Sequence, residues 1–265
     1  MTDQIQSHEG RSLFGMHPLA YDRVRPAYPD WIFAALTAEG ALAPNVATLD
    51  VGAGTGNASE QALQRGAGPL VLLEPDQRMH PFLRDRFARS GVSFASTTFE
   101  DFTAPAGSFD LILSGTAFHW VRQDVGWHKL RELLAPGGTV ALFWNVFQVL
   151  GAPDPFHEAT RELLAPLAAS PSGAPDALPY ALDHRAREGQ ARAAGFSRMT
   201  YLQGTWTYTL DSAGVVALYG GFSGVARLPE AARGRLLAQL REIAESRFSG
   251  QVVRNVTSCL YVLRV

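Results

Sequence analysis

Apolar residues along the first half of the chain fall into short, nearly continuous runs separated by polar and glycine-containing breaks. The runs cover residues 47–51, 69–73, 92–95, 109–113 and 139–144. Runs of this length are typical of strands that are buried on both faces of a sheet. Helix-like stretches follow several of them, for example at 58–64 and 127–134. The alternation predicts an α/β fold with a doubly wound, mostly parallel sheet.

The alternation ends near residue 145, where a stretch rich in alanine and proline begins. Residues 149–185 contain one helix-like piece, and we predict that they form a helical lid inserted in the fold. The later patterns predict helices at 189–194 and 229–248 and strands at 199–210, 252–253 and 258–265. The chain, 1–265, is therefore expected to form a single domain around a seven-stranded sheet.

The turn after the first predicted strand carries glycines at alternate positions, in the sequence DVGAGTGN from Asp50 to Asn57. Glycines let the backbone approach a ligand closely and adopt dihedral angles that are closed to other residues. The dinucleotide-binding pattern G-x-G-x-x-G differs, because Asn57 stands where that pattern has its third glycine. Since parallel α/β sheets bind ligands at the carboxyl ends of their strands, this turn is the predicted ligand site.

Two acidic residues accompany this turn. Asp50 places a negative charge where a pyrophosphate would be repelled, whereas a ligand with an ammonium and a sulfonium group would be attracted. Glu74 ends the second predicted strand, in position to accept hydrogen bonds from two ribose hydroxyls. Glu74 suits either ligand, so the charge of Asp50 is what favours S-adenosylmethionine over NAD.

Four segments together resemble the class I S-adenosylmethionine-dependent methyltransferases. They are residues 49–57, 73–76, 99–102 and 109–120. The sequences YDRVRPAYP at 21–29 and GTAFHW at 115–120 resemble the type 11 branch, which includes trans-aconitate methyltransferase-like enzymes. The resemblance covers most of the chain and is weakest between 149 and 183. It implies a Rossmann-like fold and an enzyme that uses S-adenosylmethionine and releases S-adenosylhomocysteine.

The resemblance also implies roles in cofactor binding for individual residues. Those that would surround the methionine part are Asp50, Gly52, Gly54 and Gly56. Glu74 would bind the ribose, and the backbone carbonyls of Ser114 and Gly115 would receive the ammonium group. Those that would contact the adenine are Asp76, Met79, Phe99, Glu100 and Asp101. For Met79 and Phe99, ordinary burial in the core is the alternative.

Residues 1–40 correspond to a segment that covers the cofactor in similar proteins. Tyr21 and Arg25 lie in it, and both have side chains that suit the carboxylate of the cofactor. The alternative is a surface pair that stacks on Pro26 or Tyr28. Closure of this segment would exclude water and strengthen each electrostatic contact.

The methyl acceptor is expected near the ends of the fourth and fifth predicted strands. His119 is the candidate general base, because an unperturbed histidine side chain titrates near neutrality and this residue follows the fourth strand. A structural role, in which it shapes the pocket or bonds a backbone carbonyl, is the alternative. Trp120, Trp144 and Asn145 are the candidate substrate-binding residues, as an aromatic wall and an amide.

Charge and composition exclude several other classes. The 23 basic and 25 acidic residues are scattered, so a nucleic-acid partner is not expected, and the acceptor is predicted to be a small molecule. No apolar stretch is long enough to span a bilayer and no signal peptide is visible, so we expect a cytoplasmic protein with no membrane partner. The histidines and the single Cys259 show no metal-ligand spacing, so no metal is expected.

Two other functions remain open at this point. A non-catalytic module that binds S-adenosylmethionine would share the glycine turn and Glu74 with an enzyme. A nicotinamide-dependent oxidoreductase is disfavoured by Asp50 and Asn57. The acceptor, the methylated atom and the oligomeric state cannot be read from the sequence.

Overall fold

The computed structural model describes residues 24–88, 91–167 and 178–265. Its strands are β1 (Thr48–Val51), β2 (Leu70–Leu73), β3 (Ser93–Ala95), β4 (Phe109–Gly115), β5 (Leu134–Val146), β6 (Arg198–Asp211) and β7 (Gln251–Arg264). They form one seven-stranded sheet in the order β3-β2-β1-β4-β5-β7-β6. β1 pairs in parallel with β2 and β4, and the pairs β2–β3 and β4–β5 are parallel too. The predicted doubly wound, mostly parallel α/β fold is confirmed.

The helices connect these strands along the chain. They are α1 (Asp30–Ala38), α2 (Asn57–Gln64), α3 (His80–Arg86), α4 (Gln123–Leu133), α5 (Pro155–Leu164), α6 (His184–Ala193), α7 (Ser212–Gly220), α8 (Ser223–Ala226) and α9 (Glu230–Phe248). Short 3-10 helices lie at Gln77–Met79 and Phe118–Trp120. Local sequence explains several boundaries: Asp154 and Asp183 cap the first turns of α5 and α6 by accepting backbone N–H bonds.

The chain divides into two compact units. The larger unit comprises residues Ala27–Trp144, Ala181–Gln203 and Cys259–Val265. In this unit the helices α1 and α2 bury apolar side chains against the central strands. The buried cluster comprises Ile32, Phe33, Leu36, Ala41, Leu42, Ala58, Ala62, Ala67, Leu111, Leu113, Ala141, Phe143, Leu260 and Val262. Burial of this continuous apolar surface makes the main favourable contribution to the free energy of packing these helices on the sheet.

Of the described residues, the other unit comprises 24–26, 145–167, 178–180 and 204–258, and it has a core of its own. Helix α9 packs on α7 and α5 there. Arg254, 2% exposed, donates to both carboxylate oxygens of Asp154, to the carbonyl of Phe147 and to the hydroxyl of Tyr219. The desolvation cost of burying this guanidinium is offset because each of its three nitrogens donates a hydrogen bond and Asp154 supplies the opposite charge.

Some element boundaries differ from the sequence-based expectation. α1, α7 and α8 were not predicted, because their short apolar stretches lack a clear helical period. α6 begins at His184 and not at 189, and the last two predicted strand pieces form the continuous β7. Residues 149–185, the predicted lid, contain α5 in one unit and the start of α6 in the other.

Candidate functional site

Four of the predicted site residues lie at the carboxyl ends of three neighbouring strands. Asp50 lies in β1, Glu74 follows β2, and Ser114 and Gly115 end β4. β1 is paired with both β2 and β4, so these strand ends are adjacent. The chain passes from β1 to β2 on one side and returns to β4 on the other, which is the switch point where doubly wound sheets form ligand sites.

The three glycines of the turn have different surroundings, although each has a positive φ angle. A Cβ atom at Gly52 would lie 2.5 Å from the Cβ of Ala117, and one at Gly56 would lie 2.5 Å from the ring of Phe87. These two glycines are therefore required by contacts inside the protein. A Cβ at Gly54 would meet no atom of the described part of the chain within 4 Å, so a ligand has room to approach this residue.

Glu74 holds the glycine turn in place. Its carboxylate accepts one hydrogen bond of 2.8 Å from the backbone N–H of Gly54 and another of 2.8 Å from that of Asp76. Burial raises the pKa of Glu74, and these two hydrogen bonds oppose the rise. Each carboxylate oxygen has a second lone pair, so this arrangement is compatible with further hydrogen bonds from ribose hydroxyls.

Asp50 is a fully buried carboxyl group next to this turn. Its Oδ2 accepts a short hydrogen bond from the hydroxyl of Ser59, and its Oδ1 is buried and accepts no hydrogen bond from the described residues. Burial raises the pKa of Asp50 to about 7; the bond from Ser59 lowers it, and the charge of Glu74 raises it. Two carboxyl groups in a buried setting make this end of the sheet suitable for a cation and unsuitable for a phosphate.

Arg86, at the end of α3, also contacts the turn, and it was not among the predicted site residues. Its guanidinium donates to the carbonyl of Thr55 and to the side chain of Asn57, both at 2.7 Å. It therefore links α3 to the first residue of α2. No local pattern reveals this contact, because the partners are separated by about thirty residues.

The end of β4 is shaped by Tyr28, a second residue that the sequence analysis did not assign to the site. A Cβ atom at Gly115 would lie 2.7 Å from the Tyr28 hydroxyl, so the side chain of Tyr28 occupies the space that this glycine leaves. The hydroxyl donates to the Thr116 hydroxyl at 3.1 Å, and Thr116 has a φ of 52°. Thr116 is a non-glycine residue at positive φ, a conformation that persists only when the surrounding contacts hold it. The hydroxyl of Ser114 donates to the carbonyl of Val51 at 2.9 Å, which joins β4 to β1.

Asp76 and Met79 lie in the turn and short 3-10 helix after β2. Asp76 accepts a hydrogen bond from the backbone N–H of Arg78 and forms an ion pair with its guanidinium at 2.7 Å. Met79 is 2% exposed, so its side chain is part of the core.

Phe99, Glu100 and Asp101 follow β3, and their side chains make contacts within the protein. Phe99 is 3% exposed. Glu100 accepts from the backbone N–H of Arg122 at 2.7 Å, and Asp101 accepts from the hydroxyl of Thr98 at 2.7 Å. Met79 and Phe99 are therefore buried in the core, which is the alternative stated for them above. The predicted contacts with the adenine stay a prediction.

His119 and Trp144 are brought together by the fold. The indole Nε1 of Trp144 donates a hydrogen bond of 3.1 Å to Nδ1 of His119. The ring of Trp120 lies 5.1 Å from that of His119 between centroids, and Trp120 and Trp144 are 5% and 3% exposed. The predicted aromatic wall thus lies beside His119, and Trp144 uses its only polar group on that histidine.

Arg25 and Asn145 belong to the other compact unit. Arg25 donates to the carbonyl of Gly221 at 3.4 Å, and its guanidinium lies 5.3 Å from the centroid of Phe222. Asn145 donates to the carbonyl of Pro26 at 3.3 Å and accepts from Ser258 at 2.6 Å. Tyr21 lies outside the described residues, so its predicted role is not addressed by the structure.

Three further observations concern the described residues as a whole. They contain no group of three or more His, Cys, Asp or Glu side chains arranged to hold a metal ion. None of their helices combines the length and the apolar character that crossing a membrane requires. An open groove of about 810 Å³ lies at the opposite, amino-terminal ends of β4 and β5. Its lining includes His128, Arg131, Glu132 and Pro136.

Comparison with known proteins agrees with this geometry. Residues 48–138 match a family model described as a methyltransferase domain. The matched segment runs from β1 to the start of β5 and contains the glycine turn, Asp50, Glu74 and His119. The predicted methyltransferase domain is confirmed for this segment. The narrower trans-aconitate methyltransferase-like branch stays a prediction.

Curated relatives carry the same description. An uncharacterised methyltransferase of Mycobacterium bovis is 32% identical over 136 residues, which are 50% of this chain and 51% of that protein. The match therefore spans about half the length of that relative. An uncharacterised methyltransferase-like protein of Schizosaccharomyces pombe is 24% identical over 230 residues, 85% of this chain and 83% of the other.

Solved structures share the fold at low sequence identity. A phosphoethanolamine N-methyltransferase of Haemonchus contortus, in complex with phosphomonomethylethanolamine and S-adenosylhomocysteine, has a TM-score of 0.59 at 14% identity, covering 98% of this chain and 60% of that one. The 4+2 cyclase SpnF has a TM-score of 0.60 at 17% identity, covering 99% and 98%. These similarities show a common architecture, and that architecture serves more than one reaction.

Proposed function

We propose, from the class I methyltransferase domain that residues 48–138 form, that this protein transfers a methyl group from S-adenosylmethionine to an oxygen, nitrogen or carbon atom of a small molecule. The observation that carries the proposal is the buried, partly unbonded carboxyl group of Asp50 beside the glycine turn and Glu74.

The residues at this turn fit the cofactor better than they fit a dinucleotide. A buried carboxylate oxygen without a partner carries a large desolvation cost, and a bound ammonium or sulfonium group would offset that cost. The phosphates of NAD would meet two carboxyl groups and be repelled. The nicotinamide-dependent alternative is therefore disfavoured by charge.

Individual residues would share the binding of this cofactor. Gly54 leaves open space above the turn, and Glu74 offers lone pairs to the ribose hydroxyls. Arg86 and Tyr28 act indirectly, because they hold the turn and the end of β4 in shape. Asp76, Phe99, Glu100 and Asp101 remain proposed neighbours of the adenine.

Methyl transfer places modest demands on the protein. The bound cofactor supplies a methyl group that its sulfonium already activates. The acceptor must then be held in line with the methyl–sulfur bond, and such positioning supplies a large part of the rate. His119, Trp120 and Trp144, at the ends of β4 and β5, are the residues proposed to face the acceptor. The Haemonchus enzyme, with a small phosphorylated amine bound, supports an acceptor of this size.

Calorimetric titration tests the proposal with S-adenosylmethionine, S-adenosylhomocysteine and NAD as separate ligands. We expect micromolar binding of the first two and none of the third. Glu74→Gln should weaken binding at least tenfold, since the amide group cannot accept at both positions. Glu188→Ala, which removes a partly exposed glutamate paired with Arg192 on α6, is the matched control and should bind normally.

The same sample distinguishes an enzyme from a binding module. Incubation with S-adenosylmethionine and a panel of carboxylates, phenols, amines and phosphorylated amines should release S-adenosylhomocysteine, measured by mass spectrometry. Binding without release for every acceptor would favour the non-catalytic module. Absence of binding in a folded sample would overturn the proposal.

A further inference from the structure

The hydrogen bond between Trp144 and His119 has a defined direction. An indole N–H is a donor only, and it has no lone pair to offer in return. The Nδ1 atom of His119, 3.1 Å from the indole nitrogen, must therefore be the acceptor. A neutral imidazole with a lone pair on Nδ1 carries its single proton on Nε2.

We infer that Trp144 is a positioning residue that holds His119 as the neutral Nε2–H tautomer, so that neither ring nitrogen can act as the general base of the proposed methyl transfer. The inference rests on the proposed function for its meaning in the reaction. It assigns to Trp144 a role in addition to the proposed contact with the acceptor.

The bond removes both routes by which His119 would accept a proton. The lone pair of Nδ1 is engaged by the indole, and a proton added there would place two N–H groups against each other. Nε2 already bears a proton, so it presents a donor. A histidine in this state takes no proton from the methyl acceptor.

The surroundings of Trp144 fix the geometry of this bond. Trp144 is 3% exposed, and the ring of Tyr261 meets it edge-on with 5.9 Å between centroids. The Tyr261 hydroxyl is itself anchored, because it donates to the carbonyl of Ala181 at 2.8 Å. The imidazole of His119 is packed as well, because the ring of Trp120 lies 5.1 Å from it between centroids. A tryptophan packed in this way has little freedom to turn its N–H away from His119.

Long-range proton–nitrogen NMR correlations of the histidine rings test the inference on the full chain without cofactor. The protein is labelled with nitrogen-15 histidine, and the signals of His119 are assigned by their loss in His119→Gln. Trp144→Phe removes the indole donor. Trp127→Phe is the matched control, since Trp127 is also 3% exposed and its indole donates at 3.0 Å to Gln123 instead.

We expect the Nε2–H pattern for His119 at neutral pH in the wild type and in Trp127→Phe, and its loss or mixing with other forms in Trp144→Phe. An Nδ1–H or doubly protonated His119 in the wild type would overturn the inference. A Trp144→Phe spectrum identical to that of the wild type would overturn the role of Trp144.

A second measurement covers the case in which Trp144→Phe fails to fold, as judged by circular dichroism. In wild-type protein with both side chains labelled, a nitrogen–nitrogen coupling across the hydrogen bond should connect Trp144 Nε1 and His119 Nδ1. Its absence would refute the pairing. Neither readout involves the cofactor, so a failure of cofactor binding and a failure of this inference give separate results.

Discussion

Replacement of Asp50 by asparagine should make the protein more stable at neutral pH and remove part of its pH dependence. Asp50 is fully buried, and burial is the main cause that raises its pKa from 3.8 to about 7. The unfolded chain keeps the ordinary value near 3.8. Between these two values the folded state binds one proton more than the unfolded state, so stability falls as the pH rises.

The size of the effect follows from the two pKa values. Each tenfold change in an acid constant is worth about 1.4 kcal/mol, so the rise from 3.8 to about 7 costs the folded state about 4 kcal/mol above pH 7. The amide introduced by Asp50→Asn still accepts from Ser59 through its oxygen, but its NH2 group faces the site where Oδ1 has no partner. That unmet donor costs about 2 kcal/mol. The net gain at pH 8 is therefore about 2 kcal/mol.

Urea denaturation followed by circular dichroism, repeated from pH 5 to pH 8, measures this difference. The free energy of unfolding of Asp50→Asn minus that of the wild type should rise by about 1.4 kcal/mol per pH unit up to about pH 7 and then level off. Asp124→Asn is the control, because Arg122 lowers the pKa of the exposed Asp124 and keeps it ionised throughout this range. Parallel curves for Asp50→Asn and the wild type would refute the assignment of a raised pKa.

Four other substitutions test the site and the fold. Gly52→Ala introduces a 2.5 Å contact at positive φ and should cost about 3 kcal/mol of stability, whereas Gly54→Ala meets no atom and should cost about 1 kcal/mol. Gly54→Ala should nevertheless weaken S-adenosylmethionine binding in calorimetry. Equal losses of stability in Gly52→Ala and Gly54→Ala would contradict the difference in packing around these two glycines. Tyr28→Phe removes the bond to Thr116 and should lower the free energy of unfolding in urea by about 1 kcal/mol. Arg254→Gln leaves a buried carboxylate without its partner and should cost about 4 kcal/mol in the same assay, and a loss below 1 kcal/mol would show that water reaches the pair.

The central strands and the glycine turn were predictable because their signals are local. A strand buried on both faces is apolar along its whole length, so the runs that became β1, β2, β4 and β5 stand out in the sequence. The turn from Gly52 to Gly56 needs positive φ angles that glycine adopts readily, so it too is visible as a short pattern.

The pattern did not distinguish the individual roles of these glycines. Gly52 and Gly56 are required because Ala117 and Phe87 approach them, and only Gly54 faces open space. Those neighbours come from other segments of the chain, so no property of the turn itself reveals them. In the same way, the burial of Met79 and Phe99 depends on which elements pack over them.

The sequence by itself determined the fold class, the end of the sheet where a ligand is expected and the identity of its two acidic residues. Each of these depends on residues close together in the chain, where spacing and backbone preference are strong signals. Only the tertiary structure decided that Arg86 holds the glycine turn, that Tyr28 holds Thr116 and that Trp144 bonds His119. The partners in these pairs are 31, 88 and 25 residues apart, and polar contacts at such separations are fixed by how strands and helices pack.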